Sequence, residues 1–405
     1  MKIIFLIPSF SAGGVAQASI YAARAVAELT GWHVTLVALH DRTTSMRIQD
    51  VRTVALGLGV DSPAAEHFLT WLLGEHADIV ISSDVSVVEP AFPYFPRSAC
   101  HIVHLHDSGR RYRSVVSRYA QFIDGVMCVA SHMEEIIRKE TSPDKFSGTI
   151  GTVYNGAAFP DVPDRVLNER ELRLIFIGRV DPLKGIDDLP PLLRQLKKRG
   201  RRVHLSIVGG FDDKLFQSFK RANVESWISW HGQVPHEKCY SLCAASDILL
   251  VPSRHEAFGM GTIEAMSMGC VPIGYNFAAG HREILEHGHS GYLLPVGKLH
   301  LWTDLICYLD DRRDVLISVS RTASIRVRNN FGLEVMGRAL VSFLNDAYGE
   351  FLASPHCRLP GVPSRQPVNA LGISSAYRML PASLKRRIRR AICASPSLSI
   401  YLLNR

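Results

Sequence analysis

The sequence predicts an α/β protein built from two doubly wound, Rossmann-like domains facing a cleft. Three observations carry this reading. Short apolar runs of strand length alternate with amphipathic helical stretches, which marks a parallel sheet with helices on both faces. The alternation halts at a polar, proline-bearing connector, AAFPDVPDRVLNERE, and then restarts. The chain's 405 residues, 47% of them hydrophobic, are enough for two ordinary cores.

In order, KIIFLIP is the first strand, a helix follows from about Gly14 to Leu29, and HVTLVAL is the next strand. DIVISS, HIVHLH and DGVMCVA continue the sheet. A helix opens at Ser131, where Ser131 and Glu134 have capping-box spacing. GTVYNGA closes this first domain, 1–160. The second, 170–330, runs through LRLIFIG, a helix from Gly185 to Arg199, RVHLSIVGG, WISWHG, a helix from His236 to Ala245, and DILLVPS. CVPIGY, GYLLPV and helices to about residue 350 complete it. In such sheets ligands bind at the carboxyl ends of the strands, and with two domains the natural place is the cleft between them.

No apolar run reaches the roughly 18 residues that a bilayer span needs. The first ten residues, MKIIFLIPSF, are too short in apolar length for a signal peptide and read as a strand. Eight cysteines form no CxxC pair and most lie in apolar segments, so reduced core thiols in a cytosolic protein are expected. The mean hydropathy of +0.07 is that of a globular chain. Residues 352–405 hold nine Lys/Arg and no acid, against a net charge of +8, so the first 351 residues carry about −1. The basic balance belongs to the tail, and a nucleic-acid-binding body is not expected.

Three segments could carry chemistry. Gly13 and Gly14 in PSFSAGGVAQAS stand between the first strand and a helix, where bare backbone and a helix N-terminus suit an anion. A plain tight turn explains them as well, and the G-x-G-x-x-G fingerprint of dinucleotide folds is absent. In FIGRVDPLKGID, Arg179 follows a strand end and Lys184 precedes a helix, so two cations share a loop that could neutralise a diphosphate. A solvated surface loop is the alternative. In SRHEAFGMGTIEAM, Gly259, Met260 and Gly261 would open a helix with free amides after the Phe258 loop. Glu264 falls on its second turn, with no cation three or four residues away. A buried carboxylate there needs a ligand donor, and a ribose diol fits. The alternatives are an exposed helix face for Glu264 and a capping box, Ser253 to Glu256, for Glu256.

Glu256 and Glu264 in PSRHEAFGMGTIEAMSMGCVPIG resemble the signature of the retaining glycosyltransferases of family 4, which have the GT-B fold. FIGRVDPLKG is similar to that family's Arg/Lys phosphate segment, GTVYNGA to the end of its first domain, and IPSFSAGG to its first glycine loop. The resemblance covers residues 1 to about 350, with the motifs in the family's order. It implies Glu264 on the ribose, the amides of Gly259 to Gly261 near donor sugar and phosphates, and Arg179 and Lys184 on the leaving diphosphate. Glu256 would sit beside the reacting carbon. His106 in HLHDS would reach the sugar from the opposite side, with Asp107 and His104 as lesser candidates. The turn at Val234, in GQVP, resembles the base-contacting turn. Departures are Gly261 for an apolar residue, His281 for a common Pro, and GGVAQ without a polar residue after its glycines.

The function implied is retaining transfer of a hexose, from a UDP-sugar in preference to a GDP-sugar, to a glycan or lipid-linked glycan in surface-polysaccharide assembly. No DxD motif is apparent, so neither a metal nor any other cofactor is expected. A sugar-nucleotide epimerase or phosphorylase, and a silent binding homologue, are the competing readings. Helices over 331–352 are expected to cross back to the first domain. In the tail, 353–405, Leu384, Ile388 and Ile392 recur beside Lys385, Arg386, Arg387, Arg389 and Arg390. This stripe suits an anionic membrane surface on the cytoplasmic side, or else packs on the first domain.

Overall fold

Every strand pairing in both sheets is parallel, as the helix-separated strand pattern requires. The computed structural model describes residues 1–11, 13–44, 46–59, 63–141, 146–161, 171–276 and 279–353. The basic tail beyond 353, with the membrane stripe expected at 384–392, lies outside the described residues, as does most of the connector.

The chain divides into two units. Unit 1 takes Met1–Val129, Met133–Val153 and the chain from Gly337, while unit 2 takes Ala130–His132 and Tyr154–Met336. The passage at Val153–Tyr154 precedes the polar connector, so GTVYNGA is divided between the units.

Unit 1 contains β1 (Lys2–Ile7), α1 (Gly14–Thr30), β2 (His33–Ala38), β3 (Val51–Ala55), α2 (Pro63–Glu75), β4 (Ile79–Ser83), β5 (Cys100–Leu105), α3 (Arg110–Tyr119) and β6 (Gly125–Cys128). It continues through α4 (Ser131–Glu140), whose first two residues count with unit 2, to β7 (Thr149–Thr152). The sheet order is β3-β2-β1-β4-β5-β6-β7. Its central strands are continuous apolar runs because helices cover both faces. Ile3 to Ile7 and Ile79 to Ile81 are fully buried, each worth about 1.5–3 kcal/mol of hydrophobic stabilisation.

Unit 2 contains β8 (Leu172–Ile177), α5 (Leu189–Lys198), β9 (Val203–Val208), α6 (Asp213–Arg221), β10 (Ile228–Gly232), α7 (His236–Ala244) and β11 (Ile248–Val251). Then come α8 (Met260–Ser267), β12 (Val271–Tyr275), α9 (Ala279–Ile284), β13 (Tyr292–Leu294), α10 (Leu299–Asp311) and α11 (Arg313–Phe331). The order is β10-β9-β8-β11-β12-β13. Its core joins β8, β9, β11 and β12 to α5 and α10 through Leu174, Leu193, Ile207, Leu250, Ile273 and Trp302.

The last helix, α12 (Leu333–Ala353), enters unit 1 at Gly337. There Phe343 lies against Gly151 of β7, and a side chain at Gly337 would strike Leu29 of α1. The helices α10 and α11 after the second sheet thus stay with unit 2, and only the chain from Gly337 is part of unit 1.

Two local expectations are corrected. The helix expected from Gly185 starts as short 3-10 turns, and α5 begins only at Leu189, where Pro190 and Pro191 fill positions that need no N–H donor. The Ser131–Glu134 capping box does not form. The Ser131 amide donates to Glu283 Oε2 at 2.7 Å, while Glu134 accepts from Thr152 Oγ1 at 2.6 Å and from Arg138. Cys100, Cys128, Cys239, Cys243, Cys270 and Cys307 are buried thiols, and Cys357 and Cys393 lie outside the described residues.

Candidate functional site

In unit 2 the strand order reverses between β8 and β11. Loops leaving such a pair diverge and open a crevice at the carboxyl edge. Arg179 and Lys184 follow β8, and Glu256 to Glu264 follow β11, so the structure brings these sequence-predicted residues to one switch point.

The β8 loop is shaped by two constraints. Asp181 accepts the Leu183 amide at 2.8 Å, closing a 3-10 turn over Pro182–Lys184. Gly185 then adopts a φ of +67°, and a Cβ there would stand 1.9 Å from the Pro252 carbonyl oxygen. Only glycine fits. The Arg254 amide donates to the Leu183 carbonyl at 2.8 Å, and its guanidinium grips both Asp188 oxygens at 3.0 and 2.9 Å. The Tyr275 hydroxyl donates to Asp188 Oδ2 at 2.7 Å. This clamp, invisible in the sequence spacing, sets the height of Lys184.

Lys184 Nζ donates to Glu256 Oε2 at 2.6 Å. Burial raises the Glu256 carboxyl, but Lys184 first, then His281 and His255, outweigh it and hold the group below its usual range. Residues 253–259 are not helical and the α8 N-cap is Gly259; a capping box is therefore not the origin of Glu256. Arg179 is the freer cation, with a 58% exposed side chain and its carboxylate neighbour, Asp181, at 3.9 Å. Such a surface pair is worth little, which leaves Arg179 available.

Gly259 has a φ of +119° and α8 carries no side-chain cap at its N-terminus. The first bond back from its amides is Thr262 N–H to the Gly259 carbonyl at 3.0 Å, so Met260 and Gly261 present their amides at the positive end of the helix. The Phe258 side chain is buried among Tyr154 and Phe331, with ring centroids 6.1 and 5.6 Å away. Its ring is packing, and its backbone lies against Gly280, where a Cβ would stand 2.6 Å from the Phe258 carbonyl oxygen.

Glu264 is 7% exposed, which rules out the exposed helix face. Burial pushes its carboxyl up to about 8, with Cys239 adding to the effect. Its neighbour is one that helical spacing could not name, His236 at the start of α7, whose Nε2 stands 3.4 Å from Glu264 Oε1. Burial also lowers the His236 imidazole, so near neutral pH the pair is held largely uncharged. Val234, in the preceding turn, packs with Val251 against the cluster of Cys239, Tyr240 and Leu249. His281 is fully buried, and burial lowers its imidazole.

Unit 1 holds the remaining candidates at its own carboxyl edge. Gly13 has a φ of +72°, and a Cβ at Gly13 or Gly14 would meet nothing within 4 Å. Asp41 braces this loop, accepting from Ser9 Oγ at 2.7 Å and the Phe10 amide at 2.8 Å. At the end of β5, the rings of His104 and of His106 just beyond it lie 3.9 Å apart, each with an unpartnered Nε2. Burial lowers both, His106 to about 3, so both are neutral. Asp107 accepts the Gly109 amide at 2.6 Å, a turn before α3. Sequence reasoning missed Asp84 and Glu89, which line a small cavity with His104, Arg111 and Tyr112. Burial raises them to about 6 and about 7.

Residues 160–312 match the family model described as glycosyl transferases group 1. The chain is 36% identical to the O-antigen chain mannosyltransferase B of Escherichia coli over 103 residues, 24% of this chain and 27% of that protein. It is 24% identical to the human alpha-1,3/1,6-mannosyltransferase ALG2 over 270 residues, 58% of this chain and 65% of that one. The chain thus spans less than two thirds of either relative. The crystal structure of HepE from Anabaena in complex with UDP and glucose superposes with a TM-score of 0.69 at 16% identity, over 85% of this chain and 99% of that one. The likeness establishes the architecture as two Rossmann-like α/β domains of the GT-B type.

Proposed function

We propose, starting from a chain that carries a group 1 glycosyl transferase domain over residues 160–312, that the protein is a retaining hexosyltransferase. It takes a nucleotide diphosphate sugar, UDP-linked in preference to GDP-linked, and glycosylates a hydroxyl of a glycan or lipid-linked glycan in surface-polysaccharide assembly. The observation that carries this reading is the switch-point cluster of unit 2: two cations, an uncapped helix N-terminus and a buried carboxyl at one sheet edge. The group 1 match, the mannosyltransferase relatives and the UDP complex of HepE support it.

In this proposal the diphosphate lies between Arg179, Lys184 and the amides of Met260 and Gly261. The ribose diol donates to Glu264, and the Val234 turn meets the base. Glycosyl transfer breaks the C1–O bond of the sugar, and the electron pair leaves on the diphosphate oxygen. Cations and amides already in place favour that charge in the transition state. The acceptor hydroxyl attacks on the same face, and its proton passes to the departing phosphate oxygen. Glu256 stabilises the positive charge that develops on the sugar. Lys184, which Glu256 holds in place, is the cation nearest to it. His106, kept neutral, is the first unit's candidate for a sugar hydroxyl. The four donor-site groups supply the charge balance without a metal ion. Family 4 membership, a cytoplasmic location and contact of residues 384–392 with an anionic membrane complete the proposal.

A panel of UDP- and GDP-sugars tests it, read as tight binding and slow release of free nucleoside diphosphate in water. At least one member binds and is slowly hydrolysed. Failure of every member to bind sinks the reading.

A further inference from the structure

The carboxyl edge of unit 2 carries one feature that the charge scheme leaves unused. Phe211, three residues beyond β9, has 61% of its surface exposed. Burying a phenylalanine rather than exposing it is worth about 1.5–3 kcal/mol, so an exposed ring that is also held in place asks for an occupant.

It is held from two sides. Asp212 caps α6 by accepting the Leu215 amide at 2.7 Å. Phe211 is therefore the residue before the cap and Phe216 lies in the first full turn. Their centroids are 5.7 Å apart, the spacing of a hydrophobic staple. On another side Phe211 meets Trp230 of β10, centroid to centroid at 4.9 Å. The Trp230 indole N–H donates to the carbonyls of Gly209 and Gly210 at 3.2 and 3.1 Å, so the loop carrying Phe211 is tied to the strand beside it. The staple accounts for one contact of the ring. It does not account for the open remainder.

The position matters as much as the exposure. The strand order β10-β9-β8 puts the Phe211 loop between the Arg179 loop and the Gln233–Pro235 turn. Backbone bonds lock the three strand ends together: the Gly178 amide donates to the Val208 carbonyl at 3.0 Å, and the Gly209 amide to the Gly232 carbonyl at 2.9 Å. A Cβ at Gly209 would stand 2.0 Å from the Gly178 oxygen. The edge is thus a shelf of close-set backbone, with a cation after one strand and a fixed aromatic face after the next.

We infer that Phe211 is the stacking platform for the nucleobase of a nucleoside diphosphate bound at this edge, an affinity-determining residue in addition to the backbone turn at Val234. The inference rests on the donor-site reading above. An aromatic face accepts any base by stacking, so it adds affinity for the nucleotide while leaving the choice between uracil and guanine to neighbouring polar groups.

Calorimetric titration of UDP and of GDP into the full chain and its variants tests this. Phe211→Ala weakens the tighter-binding nucleotide by roughly tenfold or more, the usual effect of losing one stacked base. Phe211→Tyr keeps wild-type affinity. Phe211→Leu, which preserves the staple, keeps the unfolding midpoint while still weakening the nucleotide. Wild-type affinity in both the Ala and Leu variants overturns the platform and leaves the donor site standing. If wild-type protein binds neither UDP nor GDP, the donor-site reading fails and the platform with it.

Discussion

Lys184 Nζ lies 2.6 Å from Glu256 Oε2, across 72 residues of sequence, and neither side chain is more than a quarter exposed. A pair so sheltered is costly to break from one side, because the remaining charge is left without a partner. Lys184→Met should lower unfolding stability by about 1–3 kcal/mol and cut transferase turnover by roughly a hundredfold. Adding Glu256→Gln should recover part of the stability and none of the turnover. Urea unfolding and steady-state rates on Lys184→Met, Glu256→Gln and the double variant check this. Stabilities that simply add would mean the two residues act independently.

Glu264 and Glu256 should separate kinetically. Glu264→Ala weakens donor binding with little change in turnover, since a ribose contact serves ground and transition states alike. Glu256→Ala mainly lowers turnover. The opposite pattern in donor KM and kcat would show that these two roles are exchanged.

The Glu264 carboxyl, raised to about 8 from an ordinary 4.5, sets a pH dependence. Between these values the folded protein retains a proton that the unfolded chain has released. The stability linked to this group is therefore complete below about pH 4.5 and is lost as pH rises through 8. A ribose diol donates to the carboxylate, so nucleotide affinity should rise over the same interval. Glu264→Gln should flatten both dependences. Denaturant midpoints and nucleotide titrations at pH 6, 7 and 8, chosen to sample that interval, check the two slopes.

Glu283 follows the opposite sign. Burial raises its carboxyl, yet His132 and the amides of Ser131 and His132 bring it down to about 2. Its contribution is complete above pH 4.5 and is lost as pH falls toward 2. Glu283→Gln should destabilise the protein by about 1–3 kcal/mol at neutral pH and by progressively less in acid. A constant difference across that range would exclude the ionised contact.

Gly185→Ala probes the loop geometry without touching a charge. The added methyl would meet the Pro252 carbonyl in a backbone conformation that disfavours any side chain. Donor affinity should fall at least tenfold through displaced Lys184, and a crystal structure of the variant would show the loop shifted. Unchanged affinity would mean the 3-10 turn is not what positions Lys184.

Much of this protein was legible in sequence because local patterns report local structure. The apolar runs of β1, β8 and β11 announce buried parallel strands, and the glycines at 259 and 261 announce the helix start that opens the site. The strand β3 and the helices α2, α3, α6 and α9 were not picked out. The strand is short and partly exposed, and α3 reads RRYRSVVSRY, mostly polar with only Val115 and Val116 buried. Side-chain pairs between elements were beyond reach. The carboxyl of Glu264 finds His236 on α7, 28 positions away in the numbering, and Glu256 finds Lys184 across β9, β10, β11 and the helices between them. Spacing along one helix names only neighbours on that helix. The acids Asp84 and Glu89 were missed for the same reason, since what marks them is burial beside Arg111 and His104.

The most direct test is the calorimetric titration of UDP and GDP at about pH 9, above the value of about 8 to which the Glu264 carboxyl is raised, into wild-type protein and Glu264→Gln. A nucleoside diphosphate should bind the wild type and lose at least tenfold in the variant, whose unfolding midpoint stays close to wild type. Absence of binding of both nucleotides, or equal affinity in the two proteins, would contradict a donor site built on this carboxylate.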